Sequence, residues 1–152
     1  MVTLISNSAE ETEAIGERWG REARPGWLIG LSGDLGAGKT QLVRGLAWGL
    51  GVRDRVHSPT FALVHEYAGG RLPLTHLDLY RLETPAQVMS AGLEEDLLKP
   101  PGVVVVEWIE RWTGNADPAL ARGGVVHGRY RQVRIEQVEE AVRRIVYEDT
   151  CA

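Results

Sequence analysis

Gly33-Asp34-Leu35-Gly36-Ala37-Gly38-Lys39-Thr40 reads G-x-x-x-x-G-K-T, a spacing with a mechanical reason. Glycines let the backbone wrap tightly, so that successive N–H groups point inward at phosphate oxygens. A lysine at position 39 then reaches the β- and γ-phosphates of a nucleotide, and the hydroxyl of Thr40 holds Mg²⁺. The helix that opens at this point, with Gln41 in its first turn, adds the positive end of its dipole. A loop of this kind needs a strand before it and a helix after it. Trp27-Leu28-Ile29-Gly30-Leu31 is a short apolar run ahead of the loop, and Leu42, Val43, Leu46 and Ala47 follow at helical spacing. The chain reads as nucleotide-binding.

Carboxylates must complete such a site by positioning metal and water. Glu107 ends the run Val103 to Val106, where a charge has few other reasons to stand. There it can ligate Mg²⁺ directly, ligate it through water, or orient the attacking water. Asp78 is the second candidate, in His76-Leu77-Asp78-Leu79-Tyr80-Arg81. Strand alternation places His76, Asp78 and Tyr80 on one face, which in a bland strand looks at solvent. Ser58-Pro59-Thr60-Phe61 stands where a loop sensing the γ-phosphate would stand, its hydroxyls from Ser58 and Thr60 in reach of phosphate or Mg²⁺. The same four residues also make an ordinary proline turn entering a strand. Trp108 reads as packing. The histidines at 57, 65, 76 and 127 show no metal-ligand spacing.

The elements that must position these groups follow from pattern. Ser8-Ala9-Glu10-Glu11 carries a capping signature that opens a helix to about Arg21. Gly51 closes the helix after the phosphate loop. Phe61 to Tyr67 and Leu72 to Leu79 read as a β-hairpin around Ala68-Gly69-Gly70-Arg71, an antiparallel insert in a parallel order. Thr84-Pro85-Ala86-Gln87 starts a short helix, Leu93 to Leu98 gives another, and Val103 to Val106 is a central strand. After Arg111 the composition turns to surface loop. One or two strands are expected over Val125 to Ile135, and a final helix over Glu136 to Val146. The fold class is α/β in three layers, one domain over residues 1–152.

Composition bounds the rest. A net charge of −4 argues against a chain that grips nucleic acid by itself. Cys151 stands alone, which suits a reducing compartment. Met1 to Ser6 has no basic region followed by a long apolar stretch, and no apolar run approaches a membrane span, so a cytoplasmic protein is expected. Only Lys39 and Lys99 are lysines among the 17 basic residues, a bias that identifies no function.

Together, the phosphate loop, Ser58-Pro59-Thr60-Phe61, His76-Leu77-Asp78-Leu79-Tyr80-Arg81-Leu82 and Val106-Glu107-Trp108 resemble the TsaE family, also called YjeE, in order and approximate spacing. The first block is shared with many nucleotide-binding proteins; the other three together are far more specific. The resemblance implies a P-loop NTPase fold, with a central mixed sheet, mostly parallel with an antiparallel hairpin, flanked by helices. It implies a bacterial Mg²⁺-dependent ATPase that works with the partner proteins TsaD and TsaB. Their joint product is a threonylcarbamoyl group on the adenosine immediately 3′ of the anticodon, in tRNAs reading codons that begin with A. The family's roles carry over to Gly33 through Gln41 around the phosphates, with Lys39 on phosphate and Thr40 and Glu107 on Mg²⁺. Asp78 carries over as required for hydrolysis, Ser58 to Phe61 as the switch loop, and Ser8 and Thr12 as the adenine side. Phe61 stands where tyrosine is common, and the match after Arg111 carries no contact over to Arg129 or Arg131.

Two other classes share the loop. A small-molecule kinase needs an arginine-bearing lid, and the segment from Arg81 to Pro100 offers Arg81 alone beside several acids. A regulatory GTPase needs Asn-Lys-x-Asp to read guanine, and the chain has none. With no evident arginine finger, turnover in isolation is expected to be slow, since such a group contributes roughly a thousandfold or more.

Overall fold

The computed structural model describes residues 1–33, 37–56, 63–113 and 129–151, with side chains as far as Asp149. Its elements run β1 (Val2–Ser6), α1 (Ala9–Glu22), β2 (Trp27–Ser32), α2 (Lys39–Gly49), β3 (Val64–Tyr67) and β4 (Leu74–Asp78). They continue as α3 (Pro85–Ser90), α4 (Glu94–Leu98), β5 (Val103–Glu107), α5 (Glu110–Thr113), β6 (Arg129–Gln137) and β7 (Arg143–Cys151). The strands form one seven-stranded sheet in the order β1-β7-β6-β2-β5-β4-β3. The four central strands β6, β2, β5 and β4 are parallel; β3 pairs antiparallel at one edge, β7 and β1 at the other.

The continuous apolar runs became central strands because both faces are covered. Ile29, Leu31, Val103 and Val105 face Trp19, Leu42 and Leu46 of the α1–α2 layer. Leu28, Val104 and Val106 face Val88, Leu97, Ile109 and Trp112 on the opposite side. Burying each such side chain contributes about 2 kcal/mol. The three-layer expectation holds.

Helices α1 and α2 cross through paired glycines. A methyl group on Gly45 would lie 2.0 Å from the Glu13 carbonyl oxygen, and one on Gly16 would lie 2.2 Å from that of Leu42. Backbone therefore meets backbone, which no larger residue permits. Ser8 caps α1 by accepting from Glu11 N–H at 3.1 Å, while Glu11 reaches back to Asn7 N–H at 2.6 Å. Thr84 caps α3 in the same way, with proline at its first turn.

One expectation fails. Residues 136–146 form no helix; they end β6, turn, and start β7. Glu, Gln and Ala with apolar residues at 138, 142 and 145 look helical, but local propensity is the weaker term. Ile135 pairs with Ile145 across the hairpin, and β7 in turn pairs with β1, a strand absent from the sequence reading. Pairing on both sides of β7, with Ile145 fully buried, outweighs the helical preference. Of the segment expected as one or two strands over Val125 to Ile135, the part from Arg129 onward belongs to β6.

Candidate functional site

The phosphate loop leaves the carboxyl end of β2. Gly33 has φ of 140°, and a methyl group there would lie 2.3 Å from the Ile135 carbonyl oxygen of β6. Gly38, with φ of 104°, stands at the N-cap of α2 and offers no side chain to its first N–H groups. The first turn of α2 carries no acid. Neither an N-cap side chain nor an acid in its own first turn occupies the helix start, an arrangement that suits an anion. Ala37 is buried beside this turn. Lys39 is buried; its Nζ donates to the Gly33 carbonyl and lies 4.0 Å from the centroid of the Trp108 ring. Asp34, Leu35, Gly36 and the whole Ser58-Pro59-Thr60-Phe61 block lie outside the described residues.

The two carboxylates come from neighbouring strands. Asp78 and Glu107 are register partners at the carboxyl ends of β4 and β5, both nearly buried. The Asp78 carboxylate accepts from Tyr80 N–H at 3.0 Å. Glu107 accepts through Oε2 from His76 Nε2 at 2.6 Å. His76 is wholly buried, so the polar face of β4 does not look at solvent; it looks at the phosphate loop's side of the sheet. Beyond Glu107 the chain turns sharply. Trp108 takes φ of 61°, held by Ile109 N–H donating to Leu31 O at 3.1 Å and Leu79 N–H donating to Glu107 O at 3.1 Å. A left-handed conformation at a bulky residue stores strain of about 1–3 kcal/mol, and such strain clusters at functional sites. It turns the indole toward Lys39 and Tyr80, whose ring centroid lies 5.0 Å away. Trp108 is thus packing and cavity wall together.

A cavity of about 520 Å³ brings these groups into one space. Gly38, Lys39, Thr40 and Gln41 line one wall, Asp78 and Glu107 another. Ser8 and Thr12, expected on the adenine side, line it as well. Thr12 is held there by its contact with the buried Ser6 hydroxyl at 2.7 Å. Gly33 and Ala37 support the loop without lining the cavity. Among the described residues no cluster of three or more His, Cys, Asp or Glu side chains is arranged to hold a metal by itself.

Sequence reasoning missed a third wall. Glu140, Ala141 and Arg143 of the β6–β7 turn also line the cavity. Arg143 donates from Nη1 to the carbonyls of Glu139, Glu140 and Val142, and its Nε comes within 3.8 Å of where a methyl group on Gly38 would sit. No sequence signal marks these residues, because a helix over the same stretch would have carried them elsewhere. Arg131 stays out of the cavity: its guanidinium pairs with Asp149 at 2.6 Å and lies over the rings of Trp19, Trp27 and Tyr147.

A G-x-x-x-x-G-K-T spacing between a central parallel strand and a helix, with acids ending the next two strands on one side of it, β5 and β4, defines a P-loop fold. The description "Threonylcarbamoyl adenosine biosynthesis protein TsaE" belongs to the family model that matches residues 6–145. A Nostoc protein named tRNA threonylcarbamoyladenosine biosynthesis protein TsaE is 47% identical over 114 residues, covering 73% of this chain and 70% of that protein. Its namesake from Bacillus subtilis is 46% identical over 99 residues, covering 65% of this chain and 61% of that protein. The crystal structure of YdiB from Bacillus subtilis superimposes with a TM-score of 0.74 at 30% identity, covering 99% of this chain and 86% of that one. The chain belongs to the TsaE family.

Among the described residues no helix is long and apolar enough to cross a membrane.

Proposed function

We propose that this chain is an Mg²⁺-dependent ATPase that supports threonylcarbamoyl transfer to tRNA in the cytoplasm, acting with TsaD and TsaB proteins. The observation that carries the reading is the convergence of Lys39 and Thr40, at an uncapped helix start, with Asp78 and Glu107 across one cavity. The donor set also suits Mg²⁺. One hydroxyl and one or two carboxylates are too few for a freestanding metal site, but Mg²⁺ is commonly held by one or two carboxylates together with substrate phosphates. Bound there, through Thr40 and Glu107, it would neutralise charge on the β- and γ-phosphates.

The chain's own groups do the rest. The N–H donors at the start of α2 and the Lys39 ammonium bind the phosphates and absorb negative charge as the terminal one leaves. The Gly33 carbonyl and the Trp108 face hold Lys39 in place before nucleotide arrives. Asp78 or Glu107 orients the attacking water. Ser58 and Thr60 sense the γ-phosphate, and its loss changes the surface that the loop offers to a partner. An acidic chain need not grip tRNA when partner proteins do so.

The test is ATP hydrolysis by the purified chain, alone and with TsaD, TsaB and tRNA, beside Lys39→Ala and Glu107→Ala. Slow basal turnover, stimulated by the partners and reduced about a hundredfold or more in both variants, supports the reading. Turnover indifferent to the partners, or phosphoryl transfer to a small acceptor, overturns it.

A further inference from the structure

His76 is a buried polar residue that the proposed chemistry does not use. It lies in β4 opposite Val105 of β5 and His65 of β3, and none of its surface is exposed. Packing alone does not explain it, because an apolar residue would fill the place without the cost of desolvating an imidazole. Among the described residues its Nδ1 has no hydrogen-bond partner, so the polar function of the ring is spent on Glu107 Oε2, 2.6 Å from Nε2.

The geometry constrains both partners. A bare Nδ1 lone pair is cheaper to bury than an orphan N–H, so the ring is best served as the Nε2–H tautomer, donating to the carboxylate. Glu107 is itself only 4% exposed and accepts no other described hydrogen bond, so His76 alone ties down its Oε2. Oε1 is then the oxygen left for the cavity that Glu107 lines. A free carboxylate would turn about its last bond and offer either oxygen, or both.

We propose that His76 is a positioning residue acting through Glu107: by holding Oε2 it makes the carboxylate present one oxygen in one direction, and so sets the Mg²⁺ concentration at which nucleotide is retained. This rests on the Mg²⁺–nucleotide reading of the cavity. Hydrogen-bonded partners of metal ligands typically contribute ten- to a hundredfold in metal affinity.

Two substitutions separate position from bulk. His76→Gln carries an N–H donor at about the reach of Nε2, whereas His76→Asn is polar but too short. Binding of a non-hydrolysable ATP analogue is measured by calorimetry across a Mg²⁺ titration, with an EDTA arm. For His76→Asn the half-saturating Mg²⁺ concentration rises about tenfold or more, His76→Gln recovers most of that loss, and affinity in EDTA is the same for all three proteins. In a Glu107→Gln background, where no buried charge is stranded, His76→Asn adds no further shift. That arm keeps the test open should the single variant fail to fold. An unchanged Mg²⁺ requirement in His76→Asn, equal losses in Asn and Gln, a loss that persists in EDTA, or additive shifts in the double variant overturns the inference. If the wild-type chain binds the analogue equally with and without Mg²⁺, the metal part of the ATPase reading falls first and this inference with it. If wild type is Mg²⁺-dependent and the variants match it, only the inference falls.

Discussion

The cavity has two kinds of wall. On one side stand the β2–α2 unit and the ends of β4 and β5; on the other, the turn of the β6–β7 hairpin. The first side is written in consecutive residues, with glycines, Lys39 and Thr40 together and each acid directly ending its strand. The second side owes its place to pairing: Arg143 pairs with Gln137 in the hairpin register, and β6 lies in place because it runs parallel to β2. Chemistry that depends on a fixed local spacing can be encoded in a short stretch. A wall made by a strand returning from about a hundred residues away cannot.

The largest expected effect tests whether the first side depends on its helix seam. Gly45→Ala gains about 1 kcal/mol of helix propensity but drives a methyl group into the Glu13 carbonyl, so α1 and α2 must separate. Overpacking costs of this kind outweigh the gain, and a net loss of about 2–3 kcal/mol should appear in urea denaturation. An unchanged midpoint would mean the two helices give way easily, and the seam would not be what fixes Ser8 and Thr12 against the loop.

The second side has its own anchor. The Arg131 guanidinium beside Asp149 holds that carboxyl below the usual carboxylate range, through the hydrogen bond first and the charges of Arg131 and Arg129 after it. Arg131 is buried among aromatic rings. Asp149→Asn strands that charge and should cost about 1–2 kcal/mol near neutral pH, the lower end reflecting solvent screening of a carboxylate that is 34% exposed. The sign with pH follows from the lowered value. The wild-type advantage is fully present above the unfolded carboxylate's range and fades as pH falls through the folded one. Paired thermal melts from neutral to acidic pH should therefore converge; parallel curves would assign the pair no share in acid stability.

The smallest effect asks whether the hairpin wall takes part in binding. Arg143→Ala should weaken ATP-analogue binding about tenfold, the scale of one charge-assisted hydrogen bond, with a smaller loss for AMP, which carries fewer phosphates. Equal binding by the variant would reduce the hairpin to a frame around a site made by the first side alone.

Legibility divides along the same line. The strand and helix that flank the phosphate-loop spacing, the cap at Ser8, the helix at Thr84 and the core strand ending in Glu107 were all readable, because each rests on side chains acting on their immediate neighbours. The segment 136–146 favours a helix locally, but the pairing of Ile145 with Ile135 overrides that preference. His76 was visible as a residue but its role was not: alternation gave its face, while its partner 31 positions away came from the register of β4 on β5. Ser58 and Thr60 stay as the sequence presents them, outside the described residues.

By itself, the sequence determined the P-loop spacing between a strand and a helix, the three-layer α/β class and the two acids at strand ends, since glycine freedom, apolar runs and strand-end charges act over a few residues. Only the tertiary structure decided which groups share the cavity: the His76–Glu107 bond, the turn of Trp108 toward Lys39, and Arg143 beside the helix start. Those depend on strand order and register. Strand order and register in turn follow from the burial of whole faces, a sum over the entire sheet that no single stretch of sequence carries.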